Sequence, residues 1–146
     1  MTEELMELEG ILNTVPRRLV DLSEDEISIK PDPAQWSKKE ILGHLIDSAA
    51  NNHQRFIRAQ RVDPFEGPGY EQEFWVSSQS YATEPWPDLV NLWLLYNRHL
   101  LHVLKRIPVE VLPHKCQIGS YPVMTLQEVA EDYVRHMQHH LDELFA

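Results

Sequence analysis

The chain has 146 residues, 42% of them hydrophobic, which is the size of one ordinary domain and enough for a core without metal or disulfide staples, so we expect a single domain over residues 1–146. The net charge of −10 argues against a nucleic-acid binder, because phosphate contacts need a concentrated Lys/Arg surface. No segment approaches the roughly 18–20 consecutive apolar residues of a membrane span, and the acidic start, MTEELMELEG, is unlike a signal peptide, so we expect a cytoplasmic protein.

Helical periodicity dominates the sequence. Residues 3–21 predict a first helix, with apolar residues spaced for burial and Pro16 as a point where it can kink. A second helix, about 38–60, begins at SKKE, where Ser37 and Glu40 form a capping box that satisfies two unpaired amides at the helix start. Trp36, directly before the cap, is placed to pack against this helix as a hydrophobic staple. We expect its apolar face to comprise Leu42, Leu45, Ile46, Ala49, Phe56 and Ile57.

Two further helices follow the same rules. A third helix, about 87–106, starts near EPWPD, because proline is tolerated in a first turn and Asp88 complements the helix dipole there. The last helix starts at TLQE, where Thr125 and Glu128 form a second capping box. The predicted buried face of the third helix is Leu89, Leu92, Trp93, Tyr96, Leu100, Val103 and Leu104, and that of the last is Leu126, Ala130, Tyr133, Val134, Met137, Leu141 and Leu144.

Three proline-containing connectors, about 22–36, 61–85 and 107–124, separate the helices. Long alternating β-branched runs, which would predict strands, are missing. The expected fold class is therefore all-α, a four-helix bundle with at least one long crossover connection. The 61–85 connector is longer than most connections between helices and carries several aromatic residues, and long ordered loops of this kind often line or cover a site.

Three of the eight histidines lie close together near the C-terminus, in YVRHMQHHL. At about 100° per residue, His136 and His140 fall on one flank of the buried face of the last helix, whereas His139 points away from it. Histidines four residues apart occupy adjacent turns, which lets one helix supply two ligands to a transition metal. The same spacing is often incidental, and a metal site needs at least one further ligand from another helix.

His44 is a candidate for that third ligand. It lies in a polar stripe of the second helix with Asp47, Ser48 and Asn51, and the aliphatic face points the other way. Such a stripe is either a solvated surface or the wall of a polar pocket. Helix geometry alone favours the solvated surface.

The remaining histidines and the cysteine carry weaker patterns. His53 falls on the aliphatic side of the second helix, so we expect a satisfied core or interface group, while His99 and His102 have no identifiable partner. His114 and Cys116 offer too few ligands for a structural zinc site, which takes about four. Cys116, the only cysteine, forms no intrachain disulfide and is expected to be a buried side chain rather than a nucleophile. Established catalytic motifs are absent, namely HExxH, the Glu-x-x-His pairs of di-iron bundles, GxSxG and the P-loop.

Two segments resemble the signatures of DinB-like (DinB/YfiT-like) proteins. WSKKEILGHLIDSAANNHQRF is similar to the first, and HMQHHLDEL, with two histidines four apart and then an apolar residue, is similar to the second. FWVSSQSY, LWLLYNRHLLHVL and TLQE also suit the family, so the resemblance spans about residues 30–146. It implies a four-helix bundle in which three histidines hold a divalent metal, usually zinc or nickel. Carried over by position, these are His44, His136 and His140.

The resemblance also implies an activity. Some DinB-like proteins transfer low-molecular-weight thiols such as bacillithiol or mycothiol, or use them in isomerisation, others have no assigned reaction, and dimers are common. We therefore expect a metal-dependent thiol transferase or hydrolase with a small-molecule substrate, and a homodimer. Three neutral imidazoles with an open fourth position are typical of catalytic zinc, which lowers the pKa of bound water toward about 7 or binds a thiol as thiolate.

The substrate pocket is expected between the second and last helices, under the 61–85 connector. Asp47, Asp132 and Asp142 are candidates for orienting the imidazoles, and Tyr133 is either packing or a donor to substrate. Two other functions stay open. One is a non-catalytic, stress-associated bundle that binds metal or ligand, and the other is a dimeric structural module without metal.

Overall fold

The computed structural model describes residues 1–146, and six α-helices dominate it. They are α1 (Thr2–Val20), α2 (Glu24–Ser28), α3 (Lys38–Arg58), α4 (Gln72–Ser78), α5 (Trp86–Leu104) and α6 (Leu126–Leu144). Three short strands are β1 (Phe65–Gly67), β2 (Lys115–Ile118) and β3 (Met124–Thr125), and single 3₁₀ turns cover Tyr81–Thr83 and Val109–Val111. No helix is both long enough and apolar enough to span a bilayer.

The four long helices form the predicted bundle. α1 packs against α5 and α6, and α3 packs against the same two helices. Hence α1 and α3 occupy opposite corners, as do α5 and α6. The segments from α1 to α3 and from α5 to α6 both link opposite corners, so the all-α four-helix bundle with long crossover connections is confirmed.

Local sequence signals determine where these helices begin. The Ser37 and Thr125 side chains each accept a hydrogen bond from the backbone amide three residues later, and Glu40 and Glu128 each return one, so both predicted capping boxes are present. Helix α5 begins with prolines at its N-cap and in its first turn, as predicted. α3 and α5 end at residues 58 and 104 rather than at about 60 and 106.

The core contains most of the apolar residues predicted for the four helices, together with connector residues such as Phe65 and Ile118. Val103 of the predicted α5 face is only half-buried. All of the predicted stripe of α6 is buried. Ile57 of α3 and Leu92 of α5 were expected to be buried, but they are 48% and 46% exposed. Both lie at the margin of their apolar faces, where a small rotation of the helix toward its neighbours leaves a side chain in solvent.

The connectors contain regular structure that the sequence did not predict. β1 pairs in parallel with β2, with Phe65 opposite Cys116, and β2 pairs antiparallel with β3. These strands have two to four residues, too few to produce an alternating pattern, and the β1–β2 pair joins two connectors. The short helices α2 and α4 also lie in segments predicted to be irregular.

Tyr81 fixes the 61–85 connector to α3. Its ring lies against Gly43, and its hydroxyl donates a hydrogen bond of 2.6 Å to Asp47 Oδ1. Lys39 donates to the carbonyl of Ala82 at 3.2 Å, next to the same turn. Ser80 has a φ of 53°, a left-handed conformation that is uncommon for non-glycine residues. The connector therefore packs over the polar stripe of α3.

The contact between Gly43 and Tyr81 predicts a sharp response to one added methyl group. A Cβ at residue 43 overlaps the Tyr81 ring, which is buried and held by Asp47. We expect Gly43→Ala to lower the free energy of unfolding by about 1–3 kcal/mol, as overpacking does, despite the better helix propensity of alanine. Urea denaturation followed by circular dichroism measures this change.

Gly10→Ala is the matched control, because Gly10 also lies in a long helix and a Cβ there meets no atom within 4 Å. We expect this variant to be as stable as wild type or more stable by up to about 1 kcal/mol. Equal effects of the two substitutions would show that the Tyr81 contact does not constrain α3.

Candidate metal centre

Three histidines from two helices form one cluster. His44 lies in the second turn of α3, and His136 and His140 lie on successive turns of α6. One ring nitrogen from each residue lies within 4.8 Å of the other two. The Nε2 atoms of His44 and His136, 92 residues apart in the chain, are 3.2 Å from each other. The structure thus brings together the three histidines selected from the sequence, and it leaves His139 exposed.

The polar stripe of α3 is not a solvated surface, which is the alternative that helix geometry alone favoured. His44, Asp47 and Ser48 are at most 2% exposed. Asp47 Oδ1 accepts hydrogen bonds from Tyr81 and from Gln79 Nε2, at 2.6 and 2.7 Å, so the 61–85 connector covers this part of the stripe. Burial of the stripe therefore depends on a segment more than thirty residues away in the chain.

Trp36 covers the histidine cluster. Its ring centroid lies 4.8 Å from that of His44 and 6.5 Å from that of His140. The sequence predicted that Trp36 packs against the start of α3, and the residue is indeed packed against the core. The contact with His44 goes further, because it removes water from one side of the imidazole and limits the orientations of the ring.

The cluster favours uncharged imidazoles. Burial lowers the pKa of His44 to about 3 and that of His136 to about 4, and in each case the charges of neighbouring histidines add to the effect. Burial also lowers the pKa of His140, although Glu143 opposes this shift. At neutral pH all three rings therefore present free lone pairs, which is the form that binds a metal.

The residues of the cluster fit a divalent metal. Two nitrogens bound to a tetrahedral zinc at 2.0–2.1 Å lie about 3.3 Å apart, and the observed Nε2 separation of His44 and His136 is 3.2 Å. Imidazole nitrogens suit both zinc and nickel. Moreover, Nδ1 of His44 and Nδ1 of His140 are buried without hydrogen-bond partners, although buried polar atoms in folded proteins are nearly always paired.

Two of the three aspartates predicted to orient the imidazoles make other contacts, and the third, Asp132, is exposed. Asp47 is bound to the 61–85 connector, and Asp142 accepts a hydrogen bond from Gln138 at 2.7 Å. The nearest carboxylate is Glu143, which the sequence analysis missed. Its Oε2 lies 3.7 Å from Nδ1 of His140, an ion-pair distance rather than a hydrogen bond. Glu143 follows His140 by three residues on the same helix, and this spacing could have identified it from the sequence.

Two cavities reach the cluster. The first, about 210 Å³, lies between α3, α6 and the 61–85 connector, where the sequence placed the substrate pocket. Its lining includes Ser48, Asn52, Arg55, Tyr70, Asp132 and His136. The second, about 780 Å³, was not predicted, and its lining includes Trp36, Lys38, Glu73, His140 and Glu143. The 107–124 connector also contributes Ile118, Tyr121 and Met124 to the first cavity.

Several other candidates from the sequence have structural explanations. The Tyr133 hydroxyl donates to Asn97 in the core, which supports the packing interpretation of this residue. Nδ1 of His53 lies 2.9 Å from the Tyr96 hydroxyl, so His53 is a satisfied group, as expected. Cys116 is fully buried in β2, and burial raises the pKa of its thiol, which disfavours a nucleophile.

Comparison with protein-family models shows the family to which this chain belongs. The model described as the DinB superfamily matches residues 7–144. The chain belongs to the DinB superfamily. No match was found among curated proteins.

Solved structures of other proteins share this fold. YfiT from Bacillus subtilis, described as a probable metal-dependent hydrolase with an unusual four-helix bundle topology, is 17% identical, with a TM-score of 0.84 over 98% of this chain and 84% of that one. The DinB-like protein YjoA of Bacillus subtilis is 19% identical, with a TM-score of 0.67 over 98% and 87%. A mycothiol-dependent maleylpyruvate isomerase is 13% identical, with a TM-score of 0.76 over 97% and 59%.

The lowered pKa values predict how the stability of this DinB-superfamily protein depends on pH when no metal is bound. Between the ordinary histidine pKa of 6.5 and the folded value of about 3 for His44, the unfolded chain binds a proton that the folded chain does not. The free energy of unfolding should therefore fall as pH falls below 6.5, by up to about 1.4 kcal/mol per pH unit for each such histidine. Urea denaturation of chelator-treated protein between pH 7.5 and 4.5 measures the slope.

We expect His44→Ala to reduce this slope by the contribution of one histidine, up to about 1.4 kcal/mol per pH unit. The control His139→Ala, at an exposed position, should leave the slope unchanged. An unchanged slope in His44→Ala would mean that His44 is not held in its neutral form by the fold.

Proposed function

We propose that His44, His136 and His140 hold a divalent metal ion, zinc or nickel, and that the protein is a metal-dependent enzyme acting on a small molecule. The observation that supports this proposal best is the convergence of three uncharged, largely buried imidazoles beside two cavities. Structural zinc sites use about four protein ligands, whereas catalytic sites use three and leave a position for water or substrate.

The protein's contribution is to position the ligands and exclude water. A bound divalent ion would supply Lewis acidity, which makes water or a thiol a stronger nucleophile at neutral pH. His136 and His140 are fixed by α6, and His44 is held by α3 and by the Trp36 ring. Glu143 lies within ion-pair distance of His140 and increases its basicity.

Thiol transfer and hydrolysis are the two reactions that this arrangement supports. Transfer needs space for a thiol and for an acceptor, and the presence of one cavity at His136 and another at His140 favours it. Hydrolysis needs only one organic substrate and water. Among the neighbours, one is described as a mycothiol-dependent isomerase and one as a probable metal-dependent hydrolase, so thiol-dependent chemistry and hydrolysis each occur among the descriptions of similar structures.

Metal binding is the first test. We expect the chelator-treated protein to take up one zinc or nickel ion per chain in calorimetric titrations. His44→Ala and His136→Ala should each weaken binding by at least about 100-fold, because even loss of groups that only orient a ligand commonly weakens binding 10–100-fold. His139→Ala is the matched control and should bind metal as wild type does, since His139 is exposed. Wild-type affinity in both ligand variants would refute the site.

The second test concerns activity. Zinc-loaded or nickel-loaded protein is assayed with bacillithiol or mycothiol and a fluorogenic alkylating acceptor, and separately with p-nitrophenyl acetate. We expect turnover in one of these assays that the chelator abolishes and that His44→Ala reduces at least about 100-fold, while His139→Ala retains it. Tight metal binding without turnover of any substrate in wider panels would favour the non-catalytic metal- or ligand-binding bundle.

The assembly state belongs to the same proposal. The resemblance to DinB-like proteins implied a homodimer, and this stays a prediction. His44, His136 and His140 all belong to one chain, so the three proposed ligands need no partner copy.

A further inference from the structure

The cavity beside His136 contains a cation that the proposed metal site does not use. Arg55 lies near the C-terminal end of α3, and its side chain lines the first cavity together with Ser48 and Asn52. Residues 44, 48, 52 and 55 follow one another at spacings of four, four and three, so they form one continuous row along α3. This row runs from the histidine cluster to the guanidinium.

Arg55 is not neutralised by a carboxylate. Its Nη1 donates to Asn52 Oδ1 at 3.3 Å and its Nη2 donates to the carbonyl of Pro68 at 3.4 Å, and both acceptors are uncharged. No carboxylate oxygen forms an ion pair with it within 4.0 Å. A guanidinium has five N–H donors in a planar fork, so three of them have no protein acceptor.

The other charged group at this cavity is Asp132. It lies on α6, it is exposed, and it interacts with Arg55 only at longer range. Its negative charge opposes the binding of an anion, so Arg55 would attract an anion in this cavity against the repulsion of Asp132. Tyr70, whose ring centroid is 5.9 Å from the Arg55 guanidinium carbon, covers the cation with an aromatic surface.

We propose that Arg55 binds a carboxylate group of the substrate and so selects carboxylate-bearing small molecules for the site at His44, His136 and His140. This inference rests on the proposed function, which places the reaction of the substrate at the three histidines, but the carboxylate subsite itself needs no metal. The planar fork of a guanidinium matches a carboxylate through two parallel hydrogen bonds. Asn52 orients the guanidinium through its side-chain oxygen, and its amide is held by the carbonyl of Ser48 at 2.9 Å.

The experiment is an NMR titration of the ¹⁵N-labelled protein with succinate, run in metal-free and in zinc-loaded form. We expect saturable shifts of backbone amides around residues 48–55 and 69–72. Arg55→Gln should weaken succinate binding at least about tenfold, because a charge-assisted hydrogen bond is lost. Arg55→Lys should fall between wild type and Arg55→Gln, since it keeps the charge but loses the fork. Asp132→Asn should strengthen binding, because it removes a like charge from the same cavity.

Arg58→Gln is the matched control. Arg58 lies on the same helix, it is exposed, and its Nε donates to Gln54 at 2.9 Å, so succinate affinity should not change. Succinamide, which has the same shape without charge, should bind at least about tenfold more weakly than succinate. The amide spectrum of each variant verifies its fold.

Three results would overturn the proposal. They are wild-type affinity in Arg55→Gln, equal binding of succinamide and succinate, and a preference for inorganic phosphate over succinate. Because the metal-free titration does not involve the histidines, failure of the metal proposal and failure of the carboxylate proposal are separate outcomes. Loss of zinc binding in His44→Ala with intact succinate binding would leave the carboxylate subsite standing.

Discussion

Burial of three imidazoles at one point is the constraint on which this site depends. An uncharged imidazole still carries one donor and one acceptor, and each is destabilising when it is buried without a partner. Nδ1 of His44, Nδ1 of His140 and Oδ2 of Asp47 have none, so three of the five unsatisfied buried side-chain atoms lie in or next to the cluster. Burial of the apolar faces of the four long helices stabilises the fold and offsets the cost of these unsatisfied atoms. A core selected only for packing would place apolar side chains there, so the concentration of unsatisfied polar atoms indicates a site.

Helices and connectors contribute differently to the surroundings of this cluster. The histidines lie on α3 and α6, two helices with capping boxes and buried stripes, so the ring positions follow from regular backbone. About half of the residues that line the two cavities come from the three connectors, and the β1–β2 pair joins the 61–85 connector to the 107–124 connector. The helices therefore hold the three proposed ligands in place, whereas the connectors contribute to the walls of the cavities beside them.

Features that depend on local spacing could be predicted from the sequence, and features that depend on distant contacts could not. The helices, their caps and the stripe of α6 follow from periodicity within about twenty residues, and the separation of His136 and His140 from His139 follows from the same geometry. The small sheet pairs residue 65 with residue 116, a contact that no local pattern encodes. Ile57 and Leu92 lay within the predicted faces, but the angle at which helices meet decides the margin of a face. His44 could be selected as a ligand only through the resemblance to DinB-like proteins, because the pattern of its own helix favours a solvated stripe. The stripe is covered at Asp47 by Tyr81 and Gln79, which belong to a distant connector.

Electrostatics explains why an anionic substrate is compatible with so acidic a chain. The net charge of −10 acts at long range, but salt screens exposed charges beyond about 8–10 Å. Inside the first cavity the charged side chains are Arg55 and Asp132, which do not pair, and the proposed ligand His136 is uncharged. Neutral imidazoles would leave the charge of a bound divalent ion uncompensated, unlike the carboxylates of di-iron bundles. An acidic surface lowers the rate of encounter with anions, so the proposed selection of carboxylates depends on short-range contacts with Arg55 rather than on long-range steering.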